Sequence, residues 1–389
     1  MRVLIVDDEP RVVQGLMRSL FHLGWTIQTA HSGNEALNKL ASSKGADVVI
    51  SDMRMPGMDG AELLHHVRDL YPEAVRVVLS GHTEVEAAMR AVPVAHQFLS
   101  KPCKAEIIQS VVERAHQLLQ LMQQPELRSL VGQISELPSV PRLYVELTEV
   151  IGRKHSSIAD VAQVVEKDMA MSAKVLQLVN SSFFSQAREV TTVQQAVTRL
   201  GIEMMKSLAL ATQAFQVQTA RGAAMRTFLE DQQRHALTVG AVARRLCDDR
   251  KLGDIAFMSG VLHDLGKVVL RVGVPDRYAE MSTAQRVAPS MPPLSVEVST
   301  MGVSHATVGA YLVGLWGLPL TVVEAVAYHH QPSEIGDFSD MQSTIAVHVA
   351  DCLVREREPD EQVVAAYGED VLAQWRERVE DILGTPPVF

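Results

Sequence analysis

Only three cysteines, Cys103, Cys247 and Cys352, occur in 389 residues, and none stands in a CxxC pair. A disulfide framework and a thiolate zinc site are thereby excluded, and free thiols in a reducing compartment are expected. Aromatic residues make up 5% of the chain, too few for the stacking platforms that hold single-stranded nucleic acid. The formal net charge of −10 argues against an output that binds DNA through its phosphates. No apolar stretch approaches the roughly eighteen residues of a membrane span, and Asp7 and Asp8 break the first apolar run before it becomes a secretory signal. A cytoplasmic protein without membrane contact is expected. What is present, 47% hydrophobic and 21% charged residues over this length, suits two or three domains with sizeable cores.

The richest stretch is DVVISDMRMPGMDG, Asp47 to Gly60. Val48-Val49-Ile50 is a short apolar run without alternation, closed by turn residues, which predicts a strand covered on both faces in a parallel sheet. Asp52 then falls at the carboxyl end of that strand, where open α/β sheets place their ligands. Asp59 suits the N-cap of the helix that follows. Three other apolar runs end the same way: one at Asp7-Asp8, one at Ser80-Gly81, and one containing Phe98 at Lys101-Pro102. Three carboxylates gathered at one sheet edge repel each other unless they share a cation. A hard cation such as Mg²⁺ together with the Lys101 ammonium supplies one. The set suits in-line phosphoryl transfer with Asp52 as nucleophile and Ser80 bonding the transferred group.

These residues resemble the receiver domain of bacterial two-component response regulators. The resemblance implies a doubly wound, flavodoxin-like α/β fold over residues 1–118 with five parallel strands. It makes Asp52 the phosphoacceptor, with Asp7, Asp8, Asp52 and the backbone carbonyl of Arg54 around Mg²⁺. Ser80, Lys101 and the switch aromatic Phe98 complete the set, with a cis bond at Lys101-Pro102. It also implies a cognate histidine kinase as phosphodonor.

Lys104 to Gln124 follows at helical spacing, with Ile107, Ile108, Val111, Val112, Ala115 and Leu118 on its apolar positions. Its second half is expected to outlast the receiver, against a second protomer or the next domain, and Pro125 to end it. From Leu127 the chain reads as helical. Helices are expected after Pro141, near Ser157, over Met171–Val179, after a cap at Thr192, and from Met204 to Phe215, with a break at Leu200-Gly201. Periodicity alone gives a buried bundle here. The order Leu137-Pro138…Pro141, Asp168, Asn180-Ser181, Gln195-Ala196, Leu200-Gly201 resembles more. It is similar to the HDOD domain, an all-helical relative of the HD phosphohydrolases, although Met169 stands where the family usually has proline.

Beyond Asp231 the histidines gather. Asp231 and His235 are one helical turn apart, His263-Asp264 is followed by Lys267, and His305, the pair His329-His330 and Asp351 come later. Imidazoles and carboxylates are ligands for Zn²⁺, Fe²⁺ or Mn²⁺. His235, His263, Asp264 and Asp351 follow the H…HD…D order of the HD superfamily. His305, His329 and His330 fall where HD-GYP phosphodiesterases place ligands for a second metal, with Asp231 in the position of an acidic one and Lys267 in that of a phosphate-contacting lysine. The Gly-Tyr-Pro segment tied to cyclic dinucleotide hydrolysis is missing after His330, and HDOD domains are generally non-catalytic. The other histidines, His348 among them, are expected at the surface or as satisfied core.

The preferred organisation is a receiver (1–118), a helical linker (119–129), an all-α HDOD output (130–355) and a helical tail (356–389), acting as a homodimer through a signalling protein or a small nucleotide-like ligand. The rival is a phosphorylation-gated, metal-dependent phosphohydrolase.

Overall fold

A computed structural model describes residues 1–20, 24–81, 90–91, 94–121, 125–133, 141–153, 156–180, 189–211, 222–287, 291, 293–335 and 341–384. Expectations placed on residues 122–124, 137–140, 181–184, 212–215, 336 and 386–389, and on His22, His82 and His155, lie outside these residues. The chain forms two compact units, and the first long segment of one gives way to the other between Glu136 and Leu137.

In the first unit, β1 (Arg2–Val6), α1 (Pro10–Leu20), β2 (Thr26–Ala30), α2 (Gly33–Ser43), β3 (Val48–Asp52), α3 (Gly60–Leu70), β4 (Val75–Gly81) and β5 (Gln97–Lys101) alternate as a doubly wound fold requires. The five strands are parallel in the order β2-β1-β3-β4-β5. Strand order reverses between β1 and β3, so their carboxyl ends flank the crevice where such sheets bind ligands. Val3–Val6, Val48–Ile50 and Val77–Leu79 are fully buried, which is why these strands read as unbroken apolar runs. Asp52 pairs with Leu79, Ser80 with Ser100 and Gly81 with Lys101, so the register carries the polar ends to one edge. Asp59 caps α3 in a capping box with Glu62. Gly60 begins that helix against the end of β3, where a Cβ would lie 2.1 Å from the carbonyl oxygen of Asp52.

Two features depart from the apolar pattern. Arg76, the second residue of β4, is 1% exposed and donates to the carbonyls of Val94 (2.6 Å), Ala74 (3.1 Å) and Gly132 (2.7 Å). The helix after β5, α4 (Ala105–Leu121), is followed by α5 (Pro125–Gln133). Pro125 therefore starts a helix instead of only ending one, at the position where its missing N–H leaves nothing unpaired. Gly132 lets α5 lie against Pro72, where a Cβ would stand 1.7 Å from the carbonyl oxygen.

Among its described residues, the second unit has helices joined by turns and no strand. It begins with α6 (Pro141–Gly152), α7 (Ile158–Glu166), α8 (Met169–Asn180) and α9 (Val193–Ala211). Ser157 caps α7 in a capping box with Asp160, and Thr192 Oγ1 accepts from the Gln195 N–H. Gly201, at φ 77°, interrupts α9 where the sequence places a break. Then come α10 (Ala223–Leu246), α11 (Arg250–Leu262), α12 (Leu265–Gly273), α13 (Pro275–Val287), α14 (Pro293–Met301) and α15 (His305–Leu315). The unit closes with α16 (Leu320–Tyr328), α17 (Ser343–Val354), α18 (Glu361–Tyr367) and α19 (Glu369–Gly384). Val239, Val242 and Ala243 of α10, Ala346 and Val349 of α17, and Leu372, Trp375 and Val379 of α19 share one core, so the C-terminal helix closes it. Gly240 and Gly260 allow α10 and α11 to approach closely: a Cβ on Gly260 would lie 2.7 Å from the Cα of Gly240. Among the described residues, no helix is long and apolar enough to cross a membrane.

Candidate functional site

The first pocket lies at the carboxyl edge of the sheet. Lys101 Nζ stands 2.7 Å from Asp7 Oδ2 and 2.5 Å from Asp52 Oδ1. The other oxygen of Asp7 accepts the Glu9 backbone N–H at 2.9 Å, which fixes its carboxylate. Asp7, Asp8 and Asp52 each bring a ligand oxygen within 4.8 Å of the others. Three carboxylates against one ammonium leave an excess of negative charge, and an all-oxygen donor set fits a hard divalent cation. Burial raises the Asp52 pKa against the pull of Lys101. For Lys101 burial works downward, but its bonds to Asp52 and Asp7 outweigh it and hold the ammonium above its usual value. Ser80 and Phe98 are buried, Lys101-Pro102 is cis, and Arg54 follows two residues after Asp52 on an exposed turn.

The second pocket gathers the histidines. His235 comes from α10, His263 and Asp264 from the α11–α12 turn, His305 from the start of α15, His329 and His330 from the end of α16, and Asp351 from α17. Gly266 makes this possible: it packs on the first turn of α15, where a Cβ would lie 1.9 Å from the His305 carbonyl oxygen. Asp264 is the centre. Its Oδ1 is 3.1 Å from His305 Nε2 and 3.9 Å from His329 Nε2. Its Oδ2 is 2.6 Å from Lys267 Nζ, 3.1 Å from Arg355 Nη2, 3.4 Å from His263 Nε2 and 3.7 Å from His235 Nε2. His305 Nε2 is also 3.3 Å from His329 Nε2 and 3.2 Å from His330 Nε2. Asp351 Oδ1 is 2.9 Å from His235 Nε2.

The far sides of the rings are held. His263 Nδ1 bonds the Gly260 carbonyl at 2.6 Å, His329 Nδ1 the Val326 carbonyl at 2.9 Å, and His305 Nδ1 the Glu297 carboxylate at 2.7 Å. With the proton on Nδ1, His305 and His329 aim their Nε2 lone pairs inward, the way metal-ligating histidines are set by their outer partners. Among the described residues, His263 Nε2 and Asp264 Oδ1 are buried with no hydrogen-bond partner, and the open carboxylate oxygen is one that a cation would complete. Burial holds His329 well below its usual pKa and pushes His330 down to about 2, so both rings are neutral and could serve as ligands. Burial would also lower His263, but Asp264 and Asp351 raise it to about 9. Burial alone would raise both carboxyls. Yet His263 and Lys267 hold Asp264, and His235 and His263 hold Asp351, well below the carboxylate range.

Two groups of ligand atoms lie within 4.8 Å of one another here: Asp264, His305, His329 and His330, and His235, His263 and Asp264. Asp231 is not with them. At its level on α10 the buried positions are Leu229 and Gln233, which leaves Asp231 exposed beside Arg234 at 3.6 Å. Two participants went unread in the sequence. Glu297 is the one charged residue of a nine-residue helix, and Arg355 stands four residues after Asp351, a spacing that does carry a signal. His348 is a satisfied core residue: Nδ1 bonds the His329 carbonyl at 2.8 Å, and Nε2 accepts the Asp360 N–H at 2.9 Å.

Comparison with known proteins matches residues 137–332 to the HDOD domain and residues 3–113 to the response regulator receiver domain. An uncharacterized protein of Treponema pallidum is 24% identical over 219 residues, 56% of this chain and 42% of that protein. The DNA-binding transcriptional regulator NtrC of Salmonella typhimurium is 35% identical over 159 residues, 40% of this chain and 34% of that protein. The chain thus covers well under half the length of these relatives. A virulence factor from Campylobacter jejuni shares the fold with a TM-score of 0.52 at 18% identity, over 68% of this chain and 96% of that structure.

Proposed function

From a chain that belongs to the HDOD family and carries a response regulator receiver domain at its N-terminal end, we propose a phosphorylation-controlled signalling protein whose helical unit delivers the output. The observation that carries this reading is Lys101, bonded at once to Asp7 and Asp52 with Asp8 in reach. A histidine kinase supplies the phosphoryl group. The Asp52 carboxylate oxygen attacks phosphorus, the bond from phosphorus to the kinase imidazole breaks, and an acyl phosphate forms on Asp52. Asp7, Asp8, Asp52 and the Arg54 carbonyl would hold Mg²⁺, which would supply positive charge to neutralise the phosphoryl oxygens. Lys101 then pairs with the new phosphoryl charge instead of with Asp52, and Ser80 at the neighbouring strand end bonds one of its oxygens. Phosphorylation would favour a homodimer and alter how the helical unit binds a signalling protein or a small nucleotide-like ligand. DNA is not the expected partner.

The test is phosphorylation by acetyl phosphate with and without Mg²⁺, read by intact mass, in wild type and Asp52→Ala. Mg²⁺-dependent gain of one base-labile phosphate by the wild type alone is expected. Hydrogen exchange across residues 137–332 should change with it. Labelling of the alanine variant, or exchange that ignores phosphorylation, overturns the reading.

The convergence of inward Nε2 atoms on Asp264 favours a second reading, metal-dependent hydrolysis of a phosphodiester such as a cyclic dinucleotide. Turnover of such a substrate by the iron-loaded protein, lost in Asp264→Asn, would establish it.

A further inference from the structure

The two groups of candidate ligands around Asp264 are not equivalent, because one already holds a cation of the protein's own. Arg355 Nε donates to Asp351 Oδ1 at 2.7 Å. Its Nη2 lies 3.1 Å from Asp264 Oδ2 and 2.8 Å from His235 Nε2. One guanidinium therefore engages three of the four residues of the H…HD…D set, leaving only His263 untouched. Lys267 adds a second fixed cation to the same Asp264 oxygen, at 2.6 Å. A metal ion placed among His235, His263, Asp264 and Asp351 would have to displace the guanidinium and then stand beside it.

The other side of Asp264 is different. Oδ1 faces His305, His329 and His330, and no lysine or arginine among the described residues bonds it. Ligands about 2.0–2.1 Å from a tetrahedral ion stand roughly 3.3–3.4 Å apart. The separations here are 3.1 Å (Asp264–His305), 3.2 Å (His305–His330), 3.3 Å (His305–His329) and 3.9 Å (Asp264–His329). Glu297 and the Val326 carbonyl fix two of the three rings from behind. Three imidazoles and one carboxylate select a borderline ion such as Fe²⁺ or Zn²⁺ over Mg²⁺.

We infer that the helical unit is a mononuclear metal protein: Asp264, His305, His329 and His330 hold one Fe²⁺- or Zn²⁺-type ion, and Arg355 occupies the neighbouring H…HD…D site as a built-in cation. The Asp264 carboxylate then bridges a metal on Oδ1 and the guanidinium–ammonium pair on Oδ2. The usual logic of the ligand order is reversed, since three of the four residues that define the superfamily, His235, His263 and Asp351, become the ones without metal. A two-metal clamp on a phosphodiester cannot assemble while Arg355 stays in place, which favours ligand binding over hydrolysis as the output.

The measurement is metal content of the full chain, loaded anaerobically with Fe²⁺ in millimolar Mg²⁺, which keeps the receiver pocket out of the count, and then desalted. The wild type should retain one iron per chain, His329→Ala none, and His235→Gln one. Arg355→Ala should retain two, because both sites are then open, whereas Arg355→Lys should stay at one. Circular dichroism melts show which variants fold. If Arg355→Ala does not fold, the His235→Gln and His329→Ala pair still decides. Two irons or none in the wild type, iron lost from His235→Gln, or iron kept by His329→Ala overturns the inference. The count is made on unphosphorylated protein, so its failure and a failure of Asp52 to accept phosphate are separate results.

Discussion

Glu297 grips His305 from two directions. Its carboxylate accepts the His305 backbone N–H at 2.8 Å and bonds the ring Nδ1 at 2.7 Å, with both residues buried. The acid therefore fixes where α15 starts and which ring nitrogen faces Asp264. Glu297→Gln keeps the shape but lets the amide present either oxygen or nitrogen to the ring. Loss of an outer partner of this kind weakens metal binding about 10–100-fold. Chelator competition against iron-loaded protein measures it, and unchanged affinity would reduce Glu297 to a helix-packing role.

Gly266→Ala tests how tightly the pocket depends on helix approach. The new Cβ would meet the His305 carbonyl oxygen at 1.9 Å, so α12 and α15 must separate. Overpacking of this sort costs about 1–3 kcal/mol. Because Asp264 and His305 ride on opposite sides of the contact, metal retention should fall along with the melting temperature. A variant that melts lower yet binds iron normally would uncouple the packing from the site.

Lys101→Ala removes the cation shared by Asp7 and Asp52. In chelator the variant should be less stable by about 1–3 kcal/mol, below the roughly 3–5 of a fully buried pair because the lysine side chain keeps 26% exposure. Added Mg²⁺ should restore more stability to the variant than to the wild type, since it meets more uncompensated negative charge. Equal Mg²⁺ shifts in melting temperature would contradict this electrostatic account.

His348 supplies a pH dependence. Burial holds its pKa below the usual value, and the Asp360 N–H donates to its Nε2 at 2.9 Å, a bond that only the neutral ring accepts. Below about pH 6.5 the unfolded chain takes up a proton that the folded state refuses, so stability falls as pH falls through that range. The stability advantage of wild type over His348→Gln should shrink between pH 7.5 and pH 5.5. An advantage that is constant or grows on acidification would mean that the folded ring protonates freely.

The receiver half was legible because its information is local and periodic. Unbroken Val/Ile/Leu runs mark strands buried on both faces, and each polar residue closing such a run must emerge at the same edge of a parallel sheet. The register then brings Asp7, Asp52 and Lys101 within bonding distance without further instruction. Arg76 broke the rule, since the groups that satisfy it come from elsewhere in the fold: the carbonyls of Ala74, Val94 and Gly132, and the ring of buried His96 twenty residues on, whose role spacing alone does not reveal. In the helical half, spacing identified the histidines and acids but not their grouping. Helical periodicity tells which face is buried, not which helices meet there. Asp231 and His235 share a face by spacing, yet one is exposed beside Arg234 while the other meets Asp351. The sequence by itself thus determined which residues close the strands at the first pocket and which imidazoles and carboxylates supply the second. Only the packing of six helices decided that Arg355 fills one side of Asp264 and leaves the other to three imidazoles, because a carboxylate with two oxygens can serve two partners only once both are fixed in space.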